Sequence, residues 1–309
     1  MKKTSKTVVF FGNERLATGV TTNNPILKGL IADQYEIKAV VSTHKPGKSR
    51  KSRDLEIAKV ASDHNILMLL PNKPSDIIED LLELKADVAI LVAYGKIVPQ
   101  SVIDLFPGGI VNVHPSLLPL HRGPTPIESV ILNGEDRTGV TLMKLSSKMD
   151  AGPVYAQATH PLKGTEDKQS LANDLSEIGW AMLHDLLPNI LTGKVVALPQ
   201  DSEKASYDQL LTKGDGIIDW RKPAVLLERE IRAFTNWPKS KTKLAGIEIV
   251  ITKAHVIDTN MRPGELTIKN KQLLVGTSDR SLSISYLKPS GRSEMSIEAF
   301  LANYKRFFV

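Results

Sequence analysis

The sequence predicts a doubly wound, Rossmann-like α/β domain followed by a small OB-like β-barrel domain. In the earlier part of the 309 residues, β-branched runs alternate with stretches of helical periodicity, which indicates a parallel sheet covered by helices. The later part holds short strand-like runs separated by Gly, Asn, Lys and Asp turns. A polar break separates the two parts. We therefore predict a first domain over residues 1–192, a linker over 193–212 and a second domain over 213–309.

The first domain takes its predicted strands from apolar runs and its predicted helices from apolar residues at helical spacing. The strand-like runs cover residues 7–11, 37–42, 87–94, 110–114 and 140–145. The run at 87–94 is continuously apolar, as expected for a strand that is covered on both faces. Helical spacing predicts helices over 54–65 and 171–187, and Pro188 is expected to close the second helix.

The second domain is predicted from short, closely spaced strands and from its charge. Strand-like runs at 247–251, 265–268, 272–275 and 282–287 precede a helix near 297–304. An OB-like barrel is the leading interpretation, because that fold often presents a basic face to nucleic acid. From Lys213 onward there are 17 Lys or Arg against 10 Asp or Glu, a net charge of +7. This excess indicates a polyanionic partner, although an ordinary solvated basic surface explains the charge equally well.

Composition and missing motifs exclude several functional classes. There is no cysteine, and therefore no disulfide, thiolate zinc site or cysteine nucleophile. The G-x-G-x-x-G fingerprint, the phosphate-binding P-loop and the H-x-x-x-H pair are all missing. These observations argue against an NAD enzyme, an NTPase and a zinc hydrolase, and no metal is expected. No apolar run has the length of a signal sequence or a membrane span, so we expect a cytoplasmic monomer with no membrane partner.

The most informative segment is residues 112–126, which read NVHPSLLPLHRGPTP. It follows an apolar run that is predicted to end a buried strand. Side chains alternate faces along a strand, so Asn112 and His114 should point the same way. Open α/β sheets bind ligands at the carboxyl ends of their strands. A lone histidine here would more simply be a satisfied residue in a capped strand end, but the whole segment, with Asp150 following, favours a site.

An asparagine, a histidine and an aspartate with no serine or cysteine nucleophile suit direct acyl transfer between two bound substrates. An amine that attacks a formyl carbon generates negative charge on oxygen and must lose a proton. Amide and imidazole N–H groups can donate to that oxygen, and each such donor contributes about 3 to 4 kcal/mol in known cases. A carboxylate can hold the imidazole protonated, or orient a water molecule that removes the proton.

This segment and its surroundings resemble the 10-formyltetrahydrofolate-dependent formyltransferases. The resemblance in the first domain lies in residues 93–97, 112–119, 122–123, 126–127, 139–143 and 149–152. In the second domain, residues 218–220, 231–238 and 254–258 resemble the family members that formylate initiator methionyl-tRNA. The resemblance thus covers nearly the whole chain and implies a Rossmann-like formyltransferase domain followed by a tRNA-binding barrel.

The family resemblance also implies the roles of individual residues. Asn112, His114 and Asp150 would be the catalytic trio. The folate site would be formed by Ser116, Leu117, Leu118 and Pro119 and by the backbone of Ala93, Tyr94 and Gly95. A basic loop would engage the tRNA acceptor end through Lys45, Lys48, Arg50, Lys51 and Arg53. Clustered cations on a glycine-containing loop suit phosphate binding, although such a loop can also be merely mobile and solvated.

The expected activity is transfer of the formyl group of 10-formyltetrahydrofolate to the α-amino group of methionine on initiator methionyl-tRNA, without a metal. Formylation of an amino sugar nucleotide and hydrolysis of formyltetrahydrofolate are alternatives that use the same trio. A non-catalytic RNA-binding protein is an alternative of another class, and the intact trio argues against it. Leu120, His121 and Ser146 depart from the residues that are usual in the family at these positions.

Overall fold

The computed structural model describes residues 6–43 and 56–304. The predicted tRNA-binding residues of the basic loop lie outside the described residues: Lys45, Lys48, Arg50, Lys51 and Arg53. The chain divides into two compact units. Unit 1 comprises Met1–Ile127, Asp136–Leu162 and Gln169–Gln209, and unit 2 comprises Glu128–Glu135, Lys163–Lys168 and Leu210–Val309. The domain and linker limits given above stay a prediction.

A seven-stranded mixed sheet forms the centre of the described part of unit 1. Its strands are β1 (Thr7–Gly12), β2 (Glu36–Val41), β3 (Leu67–Leu69), β4 (Val88–Val92), β5 (Ile110–His114), β6 (Arg137–Lys144) and β7 (Val154–Pro161). The strand order is β3-β2-β1-β4-β5-β6-β7. The first five strands in this order are parallel, whereas β6 and β7 are antiparallel to their neighbours. The predicted Rossmann-like fold is confirmed, with an antiparallel edge added.

The strand order brings the ends of β4 and β5 together. It runs outward from β1 in both directions, through β2 to one edge and through β4 and β5 toward the other, which is the arrangement of a doubly wound sheet. All residues of β4 and β5 are buried, as the continuously apolar sequence of β4 predicts for that strand. Leu91 of β4 pairs in parallel register with Asn112 of β5. The segments that leave these two strands therefore start from the same edge of the sheet.

The helices of the described chain are α1 (Pro25–Ala32), α2 (Glu56–Asp63), α3 (Ile78–Leu84), α4 (Gln100–Ile103), α5 (Pro126–Asn133), α6 (Lys168–Leu191), α7 (Ala224–Ala233) and α8 (Ile297–Tyr304). The prediction that Pro188 closes α6 was wrong, because the helix continues to Leu191. Pro188 removes one backbone hydrogen bond, to the carbonyl oxygen of His184, but its own carbonyl oxygen still accepts from the N–H of Thr192 at 3.2 Å. No helix in 6–43 or 56–304 is long and apolar enough to cross a membrane.

Unit 2 contains a small antiparallel, barrel-like sheet. Its strands are β8 (Ser240–Leu244), β9 (Ile247–Ile257), β10 (Leu266–Lys269), β11 (Gln272–Gly276), β12 (Ser281–Pro289) and β13 (Met295–Ser296). The order is β10-β11-β12-β9-β8, and β13 pairs with β12. Side chains of α7 and α8, including Leu227 and Phe300, are buried against the same apolar core as Leu273 and Leu282 of the sheet. The predicted small barrel-like second domain is confirmed.

A buried carboxyl group lies at the start of α1 in unit 1. Glu14 is 1% exposed, and its oxygens accept hydrogen bonds from the backbone N–H groups of Ile26 at 3.0 Å and Leu27 at 2.7 Å. These are first-turn N–H groups, which have no partner inside the helix. Burial nevertheless outweighs the hydrogen bonds and raises the pKa of Glu14 from 4.5 to about 7.

We expect Glu14→Gln to remove a pH dependence of stability. Because the folded-state pKa of Glu14 is raised, its contribution to the free energy of unfolding is full below pH 4.5 and is lost as the pH rises through about 7. The loss is at most roughly 3 kcal/mol. Chemical denaturation between about pH 5 and about pH 8 should show wild type losing stability relative to the variant. Glu83→Gln, at an exposed carboxyl group, is the control, and a constant difference between wild type and Glu14→Gln would contradict the assignment.

Candidate active site at the end of strand β5

Strand β5 places two polar side chains on one face at its carboxyl end. Asn112 and His114 are each 5% exposed, whereas the intervening Val113 is 1% exposed and belongs to the opposite face. His114 pairs with Thr141 of β6. The prediction that Asn112 and His114 share a face is therefore confirmed, and both side chains lie in a largely dry environment.

The ring of His114 is oriented by a backbone carbonyl group. Its Nε2 lies 3.1 Å from the carbonyl oxygen of His121. Because a carbonyl oxygen only accepts, this hydrogen bond requires a proton on Nε2. The other ring nitrogen, Nδ1, lies 3.8 Å from Oδ1 of Asp150. That separation suits two facing charges but is too long for a direct hydrogen bond.

Asp150 is held in place by the loop that contains His121. Its Oδ2 accepts a hydrogen bond from the backbone N–H of Gly123 at 2.9 Å. Gly123 has a φ of 120°, and a Cβ atom there would lie 2.8 Å from the carbonyl oxygen of Asp208. A side chain at this position would therefore push the loop away from Asp150. The three predicted catalytic residues thus lie on β5 and on a turn that the same loop fixes.

The amide of Asn112 has unused hydrogen-bonding capacity. It is nearly buried, yet within 6–43 and 56–304 no residue makes a hydrogen bond to its side chain. Most buried polar side chains are paired, so an unpaired one requires an explanation. The two N–H donors of this largely buried amide, on the same strand face as a histidine, can bind an oxygen atom of a ligand.

Thr141 organises the loop that was predicted to line a folate site. Its hydroxyl donates to the carbonyl oxygen of Ser116 at 2.6 Å and accepts from the backbone N–H of Leu118 at 3.1 Å and from the amide of Gln157 at 2.9 Å. The Gln157 amide also donates to the carbonyl oxygen of Leu118 at 2.7 Å. The peptide bond between Leu118 and Pro119 is cis. The hydrogen bonds to Thr141 and Gln157 hold residues 116–119 in one defined conformation. The contact of Ser116, Leu117, Leu118 and Pro119 with folate stays a prediction.

The second predicted folate segment leaves β4 through a sharp turn. Ala93 and Gly95 have φ values of 49° and 74°, so the backbone reverses around Tyr94. The Tyr94 side chain is 1% exposed and packs edge-to-face on Phe11 at 5.3 Å between ring centroids. Burial raises the pKa of Tyr94 to about 12. The side chain of Tyr94 is thus a structural anchor, and the contact of the backbone of this turn with folate stays a prediction.

The sequence did not identify several residues that support the site. Arg122 is 2% exposed and hydrogen-bonds to Gln200 and to the hydroxyl of Tyr207. His121 pairs with Asp208 at 3.1 Å between Nδ1 and Oδ1. The partners of Arg122 and His121 fall in the polar stretch that was interpreted as a linker. The one signal in the sequence was an arginine inside a proline-punctuated loop. An arginine that becomes buried there requires several acceptors, which other segments of the chain must supply.

The expectation that the site holds no metal stays a prediction. In the described part of the chain, no three His, Asp or Glu side chains are grouped so that they could hold a metal ion. The two histidine–aspartate pairs at the site are used within the protein, His114 with Asp150 and His121 with Asp208.

Models of known protein families match both halves of the chain. The model described as formyl transferase matches residues 8–187, and the model described as formyl transferase, C-terminal domain, matches residues 210–305. The chain belongs to the formyl transferase family.

Among the relatives, the methionyl-tRNA formyltransferase of Pseudoalteromonas translucida (strain TAC 125) is 34% identical over 284 residues, which cover 89% of this chain and 88% of that protein. HypX from Aquifex aeolicus in complex with tetrahydrofolic acid has a TM-score of 0.66 at 19% identity. That match covers 97% of this chain and 47% of HypX, so the chain spans about half the length of HypX.

The chain is also similar in structure to an N-formyltransferase from Helicobacter canadensis in complex with folinic acid and dTDP-3-aminofucose. It has a TM-score of 0.64 at 18% identity, and the match covers 91% of this chain and 98% of that protein. At these identities the two structural matches show a shared fold. The fold alone therefore does not select between tRNA and sugar acceptors.

Proposed function

We propose that this protein transfers the formyl group of 10-formyltetrahydrofolate to the α-amino group of methionine on initiator methionyl-tRNA. The observation that carries the proposal is the convergence of the unpaired Asn112 amide with the His114–Asp150 pair at the end of β5. This geometry occurs in a chain of the formyl transferase family whose curated relative bears the name methionyl-tRNA formyltransferase. In this proposal the enzyme is a monomer and acts in the cytoplasm.

Bound 10-formyltetrahydrofolate supplies a formyl group that an amine can attack. Asn112 donates from Nδ2 to the formyl oxygen while negative charge develops there, and this donor contributes most in a site that excludes water. His114 presents Nδ1 to the same space, because its Nε2 proton is already bonded to the His121 carbonyl oxygen. In the neutral ring Nδ1 is bare, so it can accept the proton that the attacking amine loses, and the carboxylate of Asp150 balances the charge of the doubly protonated ring that results. The proton then passes to N10 of the folate as the bond between N10 and the formyl carbon breaks, and tetrahydrofolate leaves.

The two folate segments fit a flat, amide-rich ligand. Residues 93–95 and 116–119 follow neighbouring parallel strands and therefore start from the same edge of the sheet. The first offers backbone groups at a left-handed turn, and the second is a loop with a fixed conformation. Backbone N–H and C=O groups next to apolar side chains are the usual lining of small-molecule sites. We propose that Ala93, Tyr94, Gly95, Ser116, Leu117, Leu118 and Pro119 hold the formyl donor.

A basic groove in unit 2 favours tRNA over the other acceptors. The groove has a volume of about 450 Å³, and its floor includes Ile249, which is buried. Four lysines line it against the single acid Glu248: Lys239, Lys241, Lys243 and Lys288. Closely spaced cations beside an edge strand can neutralise successive phosphates. Neither a sugar nucleotide acceptor nor hydrolysis of the formyl donor needs such a groove.

The test of the proposal is a formylation assay with three acceptors side by side: initiator methionyl-tRNA, elongator methionyl-tRNA and an amino sugar nucleotide. Formylation of the initiator tRNA is expected. Formylation of the sugar alone would establish the first alternative, and release of formate with every acceptor would establish the hydrolase. If no formyl donor is consumed and tRNA is bound, the protein is a non-catalytic RNA-binding protein.

In the same assay, we expect His114→Ala to lower kcat about a hundredfold or more and Asp150→Asn to lower it strongly. His114→Ala removes the imidazole that takes up the amine proton, and Asp150→Asn removes the charge that faces it. The KM for tRNA and the thermal unfolding midpoint should stay near wild type. A variant that unfolds at lower temperature but keeps kcat would instead mark its residue as structural.

The lysine groove makes a separate prediction about salt. We expect Lys241→Gln, Lys243→Gln and Lys288→Gln, combined, to raise the KM for tRNA and to flatten the dependence of log affinity on log salt. The slope should fall by about 1 for each phosphate that is no longer neutralised. The matched control replaces three exposed lysines that do not line the groove: Lys253, Lys269 and Lys271. Equal salt slopes for wild type, groove variant and control would remove the groove from tRNA binding.

A further inference from the structure

Gln200 joins the two segments that carry the catalytic aspartate and its supporting loop. Its Nε2 donates to the carbonyl oxygen of Asp150 at 2.8 Å and to that of Gly152 at 2.7 Å. Its Oε1 accepts from Nη2 of Arg122 at 2.8 Å and from Nε at 3.2 Å. A glutamine amide has two donors and two acceptor lone pairs. All four are therefore used, and the orientation of the amide group is fixed.

Arg122, which donates to the amide oxygen of Gln200, is itself immobilised. Its side chain is 2% exposed, its Nη1 donates to the hydroxyl of Tyr207 at 2.9 Å, and its guanidinium carbon lies 5.7 Å from the centroid of the Tyr207 ring. The backbone N–H of Arg122 also donates to the carbonyl oxygen of Ser206 at 2.9 Å. A planar guanidinium group in this setting presents Nε and Nη2 as a fork of fixed direction. Gln200 thus receives its position from a rigid group.

The turn at Asp150 depends on such support. Asp150 has a φ of 46°, a left-handed conformation that costs free energy in a residue other than glycine. At Gly152 the backbone passes so close to β6 that a Cβ atom would lie 1.9 Å from the carbonyl oxygen of Lys144. The two carbonyl groups that Gln200 binds flank this tight turn. Without the glutamine, both lack this partner and the turn is free to relax.

We propose that Gln200 is a positioning residue for Asp150. In this account, which rests on the proposed function, the glutamine sets the direction of the Asp150 carboxylate and hence its 3.8 Å separation from Nδ1 of His114. Gln200 touches no reacting atom. Errors of about 1 Å in the placement of a catalytic group can cost about a hundredfold in rate, so the loss of this amide group is expected to lower kcat.

Two substitutions at Gln200 separate the hydrogen bonds that its amide accepts from Arg122 and those that it donates to the turn at Asp150. Gln200→Leu removes all four hydrogen bonds, whereas Gln200→Glu keeps the acceptor for Arg122 and removes both donors to the turn. Each should lower kcat about tenfold to a hundredfold with an unchanged KM for tRNA and folate. The control is Gln169→Leu, at a half-buried glutamine of unit 1 that donates to the carbonyl oxygen of Thr21 and to the side chain of Asn173. It should leave kcat unchanged.

A double-mutant cycle distinguishes positioning from a general structural role. If Gln200 acts through the Asp150 carboxylate, Gln200→Leu should cost less than about threefold in kcat when it is added to Asp150→Asn. An equal loss in both backgrounds would overturn the proposal, and so would a wild-type kcat for Gln200→Leu. A fall in thermal stability shared by the Gln200 and Gln169 variants would not by itself produce this loss of additivity.

An NMR measurement of the His114 ring tests the positioning role of Gln200 whether or not the protein transfers a formyl group. The ring ¹⁵N signals of His114 should shift in Gln200→Leu toward their positions in Asp150→Asn, and they should not shift in Gln169→Leu. If the wild type transfers no formyl group but these shifts occur, the proposed function fails and the positioning proposal stands. If His114 is unaffected by Gln200→Leu, the positioning proposal fails whatever the activity of the wild type.

Discussion

The hydrogen bond from His114 Nε2 to the carbonyl oxygen of His121 is the constraint on which the candidate active site depends. It fixes which ring nitrogen carries the proton of the neutral imidazole and turns the other nitrogen toward Asp150. The carbonyl group has this direction because His121 adopts a left-handed conformation, with a φ of 58°. An imidazole whose orientation is fixed before the substrate arrives needs no reorganisation during the reaction.

An irregular segment of the chain keeps His121 in that conformation. The backbone N–H of His121 donates to the hydroxyl of Ser206 at 2.8 Å, and its ring pairs with Asp208. The backbone N–H of Asp208 donates to the carbonyl oxygen of Arg122 at 2.8 Å, so residues 206–208 run beside the loop like a short parallel strand. The position of His114 thus depends on residues some 90 positions away in sequence. Gln200 provides the equivalent support for Asp150.

The central features of the fold and the shared face of Asn112 and His114 were predictable from the sequence because they have a periodicity. Strand β4 is continuously apolar, and Asn112 and His114 obey the two-residue period of β5. By contrast, β8 reads SKTKL, and it was missed because an edge strand need not be apolar. Gln200 and residues 206–208 were missed for a different reason. Their roles arise from hydrogen bonds between irregular segments, which leave no repeating pattern in the sequence.

The most direct test of this account is the protonation of the His114 ring in the free enzyme. Histidine labelled with ¹⁵N, with the His114 signal assigned by comparison with His114→Ala, reports by NMR which ring nitrogen carries the proton when the ring is neutral. The account predicts a proton on Nε2 and a bare Nδ1 directed at Asp150. A neutral ring protonated on Nδ1 would contradict it, because the His121 carbonyl oxygen could then accept no hydrogen bond from His114.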